Sequence, residues 1–390
     1  MISNKLLPVH KRYDISFSYG KEAYLFTEDK KYLDFGSGIA VNVLGHCHPR
    51  IVDALSNQAK KLWHVSNIYC GNELNNYAEK LVSKSFADYV FFCNSGAESI
   101  ECAIKMIRRH FYVKNQPNKN RIITFTGAFH GRTIATISAA AKEKYLEGFK
   151  PALEGFDNVE FGNIEAVKNA ITKNTAAILI EPIQGEEGIV VADKKFIQDL
   201  RKICDENDML LAFDEVQCGM GRTGHLFAYE YYQVIPDIIA IAKAIAAGFP
   251  LGACLATKNA AQGMTTGTHG TTYGGNPLAM SVANEVLDII LEKDFLNNVK
   301  KIGEELKSEL IKLQQKFPDF IDEVRGVGLM LGLKINQKFD QAKLVEKLIE
   351  NQLLLIPASN NVLRILPPLI INSNHVKESL QKMEKVFCDF

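Results

Sequence analysis

A lysine and a carboxylate stand in surroundings that offer them little water. Lys243 lies in Ile241-Ala242-Lys243-Ala244-Ile245, an apolar setting that solvated lysines rarely have. Desolvation lowers a lysine pKa and raises the share of neutral amine able to attack an aldehyde carbon. A stem laid along apolar surface with its ammonium in water is the competing reading. Asp214 follows the apolar run Met209 to Phe213 and, if buried, needs a cationic partner. A protonated pyridine nitrogen would be one, and a ring that keeps that proton becomes an electron sink. An ion pair with an Arg or Lys elsewhere would serve equally. Gln217 stands close enough in sequence to donate to a ring hydroxyl if the loop folds back.

Asn94-Ser95-Gly96-Ala97-Glu98 follows an apolar run and opens a helical pattern. Its small residues leave backbone N–H groups free for an anion such as phosphate, although Ser95 as a plain N-cap also accounts for the motif. In Gly127-Ala128-Phe129-His130-Gly131-Arg132-Thr133, Phe129 could stack on a flat heterocycle. Arg132 offers the planar fork that suits a carboxylate. Core packing of Phe129 and a surface ion pair at Arg132 are the competing readings. His46-Cys47-His48 stands alone, without a second ligand cluster, so no metal site is expected. The glycines at 219, 221, 224, 274 and 275 mark tight loops rather than a dinucleotide fingerprint.

Elements must position these groups. Short apolar runs at Tyr89 to Cys93, Ile122 to Phe125, Ala176 to Ile180, Leu210 to Phe213, Ile238 to Ile241 and Ala253 to Ala256 read as strands covered on both faces. Helical segments between several of them predict an α/β fold with a mostly parallel central sheet. The clearest helix follows Asp193, with Phe196, Ile197, Leu200, Ile203 and Cys204 on one face. A hairpin pairing Tyr24-Leu25-Phe26 with Tyr32-Leu33-Asp34-Phe35 is expected near the start. Beyond Asn276, long amphipathic helices precede strand candidates at Leu329 to Leu333, Leu353 to Ile356 and Leu363 to Ile365, then a final helix. This division predicts a large domain over 51–284. Residues 1–50 and 285–390 would form a smaller α+β domain.

At 390 residues the chain has ample core for two such regions. Its 47% hydrophobic and 23% charged content is that of a folded protein. The 45 basic side chains equal the 45 acidic ones, so no overall field points to nucleic acid or an anionic membrane. Eight scattered cysteines without a CxxC pair read as reduced cytosolic thiols. Residues Met1 to Asp14 lack a signal-peptide apolar region. The apolar stretch Ile238 to Ala256 is broken by Lys243 and Gly248-Phe249-Pro250 and reads as interior rather than a membrane span. A cytoplasmic location is therefore expected.

With these residues assembled, the chain resembles the class III, fold type I, pyridoxal-phosphate (PLP) aminotransferases, in their acetylornithine and ornithine branch. The resemblance rests on LDFGSGIAVNVLGHCHP, NSGAES, FHGRT, EPIQGEEG, DEVQCGMGRTG, AKAIAAGFPLGA, HGTTYGGNPL, RGVGLMLGL and LRILPPLII, and it covers nearly the whole chain. It implies that Ser95, Gly96 and Ala97 bind the phosphate of pyridoxal 5'-phosphate, that Phe129 and Val216 pack the two ring faces, that Asp214 pairs with the ring nitrogen, and that Gln217 contacts the ring oxygen. Lys243 would be the covalent anchor, and Thr272 would reach the phosphate in a partner subunit, which implies a homodimer. The family commonly has Thr where this chain has Ala97, so a hydroxyl is missing there.

The same resemblance implies that Arg132 holds a substrate carboxylate, and that Glu186 holds Arg364 until 2-oxoglutarate or glutamate binds. Thr271 would touch an acylated substrate. The stretches 36–40 and 62–67 look like the acetylornithine type, because the ornithine enzymes carry a tyrosine near the first. The implied reaction is transamination of N2-acetyl-L-ornithine with 2-oxoglutarate. Succinyldiaminopimelate or free ornithine as donor is the nearest competitor, an aminomutase a more distant one. A PLP-fold protein without turnover is the reading from another class.

Overall fold

The central sheet has seven strands in the order Tyr89–Cys93, Gly252–Ala256, Ile238–Ile241, Leu210–Asp214, Thr175–Ile180, Arg121–Phe125 and Phe156–Val159. The structure is a computed structural model that describes residues 5–69 and 71–390. Cys70 and the first residues of the expected small domain, 1–4, lie outside it. None of the seven described cysteines is paired. From Ile238–Ile241 through to Phe156–Val159 every neighbouring pair is parallel. Gly252–Ala256 is the exception: it runs antiparallel to both of its neighbours.

Burial explains which strands the sequence announces. Thr175–Ile180, Leu210–Asp214, Ile238–Ile241 and Gly252–Ala256 are buried at every residue, as strands covered on both faces must be. Phe156–Val159 is the polar edge strand FDNV, only half-buried, and its pattern carries no apolar run. The helix Lys194–Glu206 buries Phe196, Ile197, Leu200, Ile203 and Cys204. Its N-cap Asp193 accepts hydrogen bonds from the amides of Lys195 and Phe196 at 2.7 and 3.3 Å, an arrangement that contributes about 1 kcal/mol.

The expected hairpin forms, with Tyr24–Phe26 antiparallel to Lys31–Asp34, and Tyr19–Lys21 adds a strand outside it. Leu353–Leu354 pairs in parallel with Leu33–Asp34, joining the start of the chain to its last third. There a second sheet has the order Ile321–Val327, Met330–Ile335, Val362–Ile365, Ile356–Ala358. The expected single strand Leu353 to Ile356 is thus divided between two sheets. Ile321–Val327 escaped the sequence reading because Asp322, Glu323 and Arg325 interrupt its apolar positions. The helices Phe295–Lys316 and Ser373–Asp389 pack together beside this sheet.

Candidate active site

Parallel strands present their carboxyl ends along one edge, and the chain places its unusual residues there. Asp214 ends Leu210–Asp214, Glu181 follows Thr175–Ile180, and Phe129 with His130 follows Arg121–Phe125. Lys243 comes just after Ile238–Ile241, and Asn94 to Ala97 come after Tyr89–Cys93. All of these residues line one cavity of about 280 Å3, together with Val216 and Gln217.

Lys243 does not extend its strand. It opens a short 3-10 turn, Lys243–Ala246, with φ of +47°, a left-handed conformation that a lysine adopts only when the surrounding structure imposes it. Its ammonium has no ion pair or hydrogen bond to any described group, and part of the side chain faces the cavity. Burial among protein atoms, and secondarily the charge of Arg364, lowers its pKa. This favours the amine form that a nucleophile needs.

Asp214 is 3% exposed. One carboxylate oxygen accepts from the Val216 amide at 3.0 Å, and the other lies 2.7 Å from Nδ1 of His130. The partner demanded by its burial is thus a histidine, which the sequence reading passed over. Burial opposes a charge on His130, but the hydrogen bond and charge of Asp214 prevail and raise its pKa. Glu181, likewise passed over, is 5% exposed and accepts from the Phe129 amide at 2.7 Å. Burial and the nearby Asp214 push its pKa up to about 7. Glu215, adjacent to Asp214, points elsewhere and accepts from the amides of Ala228 and Tyr229.

At the opposite wall, Ser95 caps the helix Gly96–Val113 by accepting from the Glu98 amide. The amides of Gly96 and Ala97, in the first turn of this helix, have no acceptor within it. A Cβ on Gly96 would lie 2.7 Å from Cγ1 of Val216, so only glycine allows this approach. Gln217 is 6% exposed, and its Oε1 is buried without a hydrogen-bond partner. Phe129 is half-buried at the cavity rather than packed in the core. An anion cradle, an aromatic face, a buried carboxylate, an unpartnered amide oxygen and a partnerless lysine are together what a phosphorylated pyridine aldehyde requires. The residues present fit pyridoxal 5'-phosphate.

The remaining expected residues lie outside the cavity lining. Arg132 is exposed and forms no ion pair with any described residue; its guanidinium sits 4.1 Å from the centre of the Tyr145 ring and 5.7 Å from that of Phe129. Arg364 is 2% exposed, with Nη1 2.6 Å from Oε1 of Glu186. Both act electrostatically on Lys243. Thr271 Oγ1 is within 3.3 Å of Asn94 Nδ2, and Thr272 is exposed on the following turn. His46 Nε2 pairs with Asp34 at 2.8 Å.

The chain matches the family model for class-III aminotransferases over residues 10–387. It is 53% identical to the acetylornithine aminotransferase of Agrobacterium fabrum over 380 residues, which cover 97% of this chain and 95% of that one. The N-acetylornithine aminotransferase structure from Stenotrophomonas maltophilia superposes with a TM-score of 0.85 at 36% identity, over 97% of each chain. The ornithine aminotransferase of Toxoplasma gondii, whose crystals show partial occupancy of PLP at the active site, superposes with a TM-score of 0.93 at 30% identity, covering 98% of this chain and 92% of that one.

Proposed function

We propose, for a chain that belongs to the class-III aminotransferases, that its reaction is PLP-dependent transfer of the 5-amino group of N2-acetyl-L-ornithine to 2-oxoglutarate. The products are N-acetyl-glutamate 5-semialdehyde and L-glutamate. The observation that carries this reading is the pair Arg364 and Glu186, 2.6 Å apart and within electrostatic reach of Lys243. One site must accept the amine-bearing chain of an acylated monocarboxylate donor and then a dicarboxylate. An arginine neutralised in the first half-reaction and released in the second meets both needs.

Ser95, Gly96 and Ala97 would hold the cofactor phosphate, Phe129 and Val216 its ring faces, Asp214 its ring nitrogen and Gln217 its ring oxygen. Bound there, pyridoxal 5'-phosphate supplies an aldehyde that takes up the amino group and a protonated ring that withdraws electrons. Asp214, oriented by His130, keeps that ring nitrogen protonated and so stabilises developing negative charge. Lys243 is the covalent anchor, and once displaced its Nζ takes the proton from C5 of the donor. Arg132 fixes the donor carboxylate through a bidentate pair, and Thr271 meets the acyl end.

Residues 51–284 form the large cofactor domain in this reading, with 1–50 and 285–390 as the small one; the pairing of Leu33–Asp34 with Leu353–Leu354 supports that grouping. The assembly is a homodimer in which Thr272, exposed on its loop, reaches the partner's cofactor phosphate. The enzyme serves arginine biosynthesis in the cytoplasm. No described helix is long and apolar enough to cross a membrane.

A donor panel tests the assignment: N2-acetyl-L-ornithine, L-ornithine and N-succinyl-diaminopimelate, each with 2-oxoglutarate, followed by glutamate release. The reading expects the highest kcat/KM for N2-acetyl-L-ornithine. A clear preference for either other donor moves the substrate, and no glutamate from any of them removes the assignment.

A further inference from the structure

Past Gln217 the chain enters a second cavity that shares no lining residue with the first. Arg222 is fully buried. Its guanidinium donates to the carbonyls of Leu329, at 3.1 Å, and Pro367. Nε and Nη2 have no partner, and no described carboxylate pairs with this side chain. A buried cation without a counter-ion is costly, and burial pushes its pKa down to about 9. The next residue, Thr223, is 2% exposed, and its hydroxyl is also buried without a partner. Buried polar atoms rarely go unsatisfied, so each asks for an explanation.

Thr223 lines a cavity of about 280 Å3 between this loop, the helix Phe295–Lys316 and the turn at Gly326 to Gly328. The other walls carry His225, Tyr231, Lys300 and Lys307. Lys300 forms no ion pair or hydrogen bond with any described group, while its stem is so close to Gly224 that a Cβ there would lie 2.3 Å from Lys300 Cγ. Lys307 Nζ uses one of its three donors on the Gly326 carbonyl, at 2.9 Å. Lys194 Nζ stands 4.1 Å above the Tyr231 ring. Burial, with the charges of Lys300 and Lys194, lowers the pKa of His225. Two carboxylates offset part of this field: Glu304, exposed on the rim, and Glu230, 3.9 Å from His225 Nδ1. The three lysines, Lys194, Lys300 and Lys307, outnumber them.

We propose that this cavity is a second ligand site for a small oxyanion, a carboxylate or phosphate group, held by the ammonium groups of Lys300 and Lys307 and the hydroxyl of Thr223. Its donors match such a ligand: two charged donors with free valences and a hydroxyl with none of its bonding used. The occupant joins the loop that leaves Asp214 and Gln217 to the helix that supports the C-terminal sheet. The site therefore bridges the two halves of the molecule.

The test uses cofactor-loaded protein, so that the cradle at Ser95 to Ala97 is filled. Inorganic phosphate and acetate are titrated separately at ionic strength held constant with sodium chloride, with binding followed by calorimetry and by Tm. Saturable binding of at least one of them is expected, with Tm rising as the site fills. Lys300→Gln should weaken that binding about tenfold and Thr223→Val severalfold, with amino-transfer activity of Lys300→Gln unchanged. Binding of phosphate alone or of acetate alone, weakened by Lys300→Gln, supports the site and identifies its headgroup. Equal binding by parent and Lys300→Gln shows an adventitious ion only and overturns the proposal, as does a Tm response no different from that to sodium chloride.

Discussion

Arg364 and Glu186 form an ion pair at 2.6 Å in which the partners are unequally enclosed: the arginine side chain is 2% exposed and the carboxylate side chain 25%. Arg364 is also held by the carbonyl of Pro357 at 3.2 Å. The carboxylate is therefore the partner free to move. Substituting Glu186→Gln leaves the guanidinium unneutralised near Lys243. The apparent KM for 2-oxoglutarate should fall about fivefold, while kcat/KM for the acylated donor falls about tenfold. Steady-state kinetics with each substrate varied would show this split; equal changes for both would remove the gating role from Glu186.

Lys243→Ala should lower kcat on the order of 10^3-fold or more, because the proposed covalent anchor and proton carrier would be lost together. The side chain has no hydrogen bond or ion pair to a described group to lose, so the Tm of the cofactor-free protein should change little. A variant that retains a tenth of parental turnover would assign the chemistry elsewhere.

His130 touches Asp214 rather than any reacting atom, and acts as a positioning residue. His130→Phe should lower kcat about tenfold and shift the pH profile, because Asp214 loses the donor at 2.7 Å that fixes its orientation. His130→Gln, whose amide can still donate, should recover part of the loss. A uniform fall in both variants without a change in pH profile would indicate packing alone.

Glu181 gives a pH signature. Its pKa in the folded protein, pushed up to about 7, lies above the ordinary value of 4.5. The folded state therefore holds this proton more tightly than the unfolded chain. The resulting stability is complete below pH 4.5 and is lost as pH rises through about 7. Glu181→Gln cannot ionise, so its Tm should gain on that of the parent across this window. A Tm difference independent of pH would contradict the protonated state.

Gly96→Ala introduces a methyl 2.7 Å from Val216 Cγ1, closer than carbon atoms pack. One of the two walls must shift, and cofactor affinity measured by equilibrium dialysis should fall at least about tenfold. Unchanged affinity would mean that the helix N-terminus does not hold the phosphate.

The parts of this site that were legible in the sequence share one property: a charge embedded in apolar surroundings. Lys243 and Asp214 stand out because flanking residues such as Ile241, Ile245 and Phe213 leave them no water. Glu181 carries the same mark, directly after the apolar run Ala176 to Ile180, and is passed over only because attention falls on the residues that follow it; His130, between Phe129 and Gly131, carries none. Their roles come from strand order, since Arg121–Phe125 and Leu210–Asp214 both pair with Thr175–Ile180 and so bring residues 84 apart in sequence within bonding distance. The pairing of Glu186 with Arg364 was expected only through the family resemblance, as their separation of 178 residues hides it from any local pattern. The fold divides in the same way. Fully buried strands announce themselves, whereas Phe156–Val159 and Ile321–Val327 need partners to be recognised as strands. The antiparallel direction of Gly252–Ala256 is likewise invisible in an apolar run.

Amino transfer from N2-acetyl-L-ornithine is tested most directly by a single half-reaction. Cofactor-loaded protein is mixed with excess N2-acetyl-L-ornithine in the absence of any keto acid, quenched, and assayed for N-acetyl-glutamate 5-semialdehyde. About one equivalent of aldehyde per active site and no more is expected, followed by release of about one equivalent of glutamate on adding 2-oxoglutarate. No aldehyde from N2-acetyl-L-ornithine, or none of the stored amino group recovered as glutamate, would contradict it.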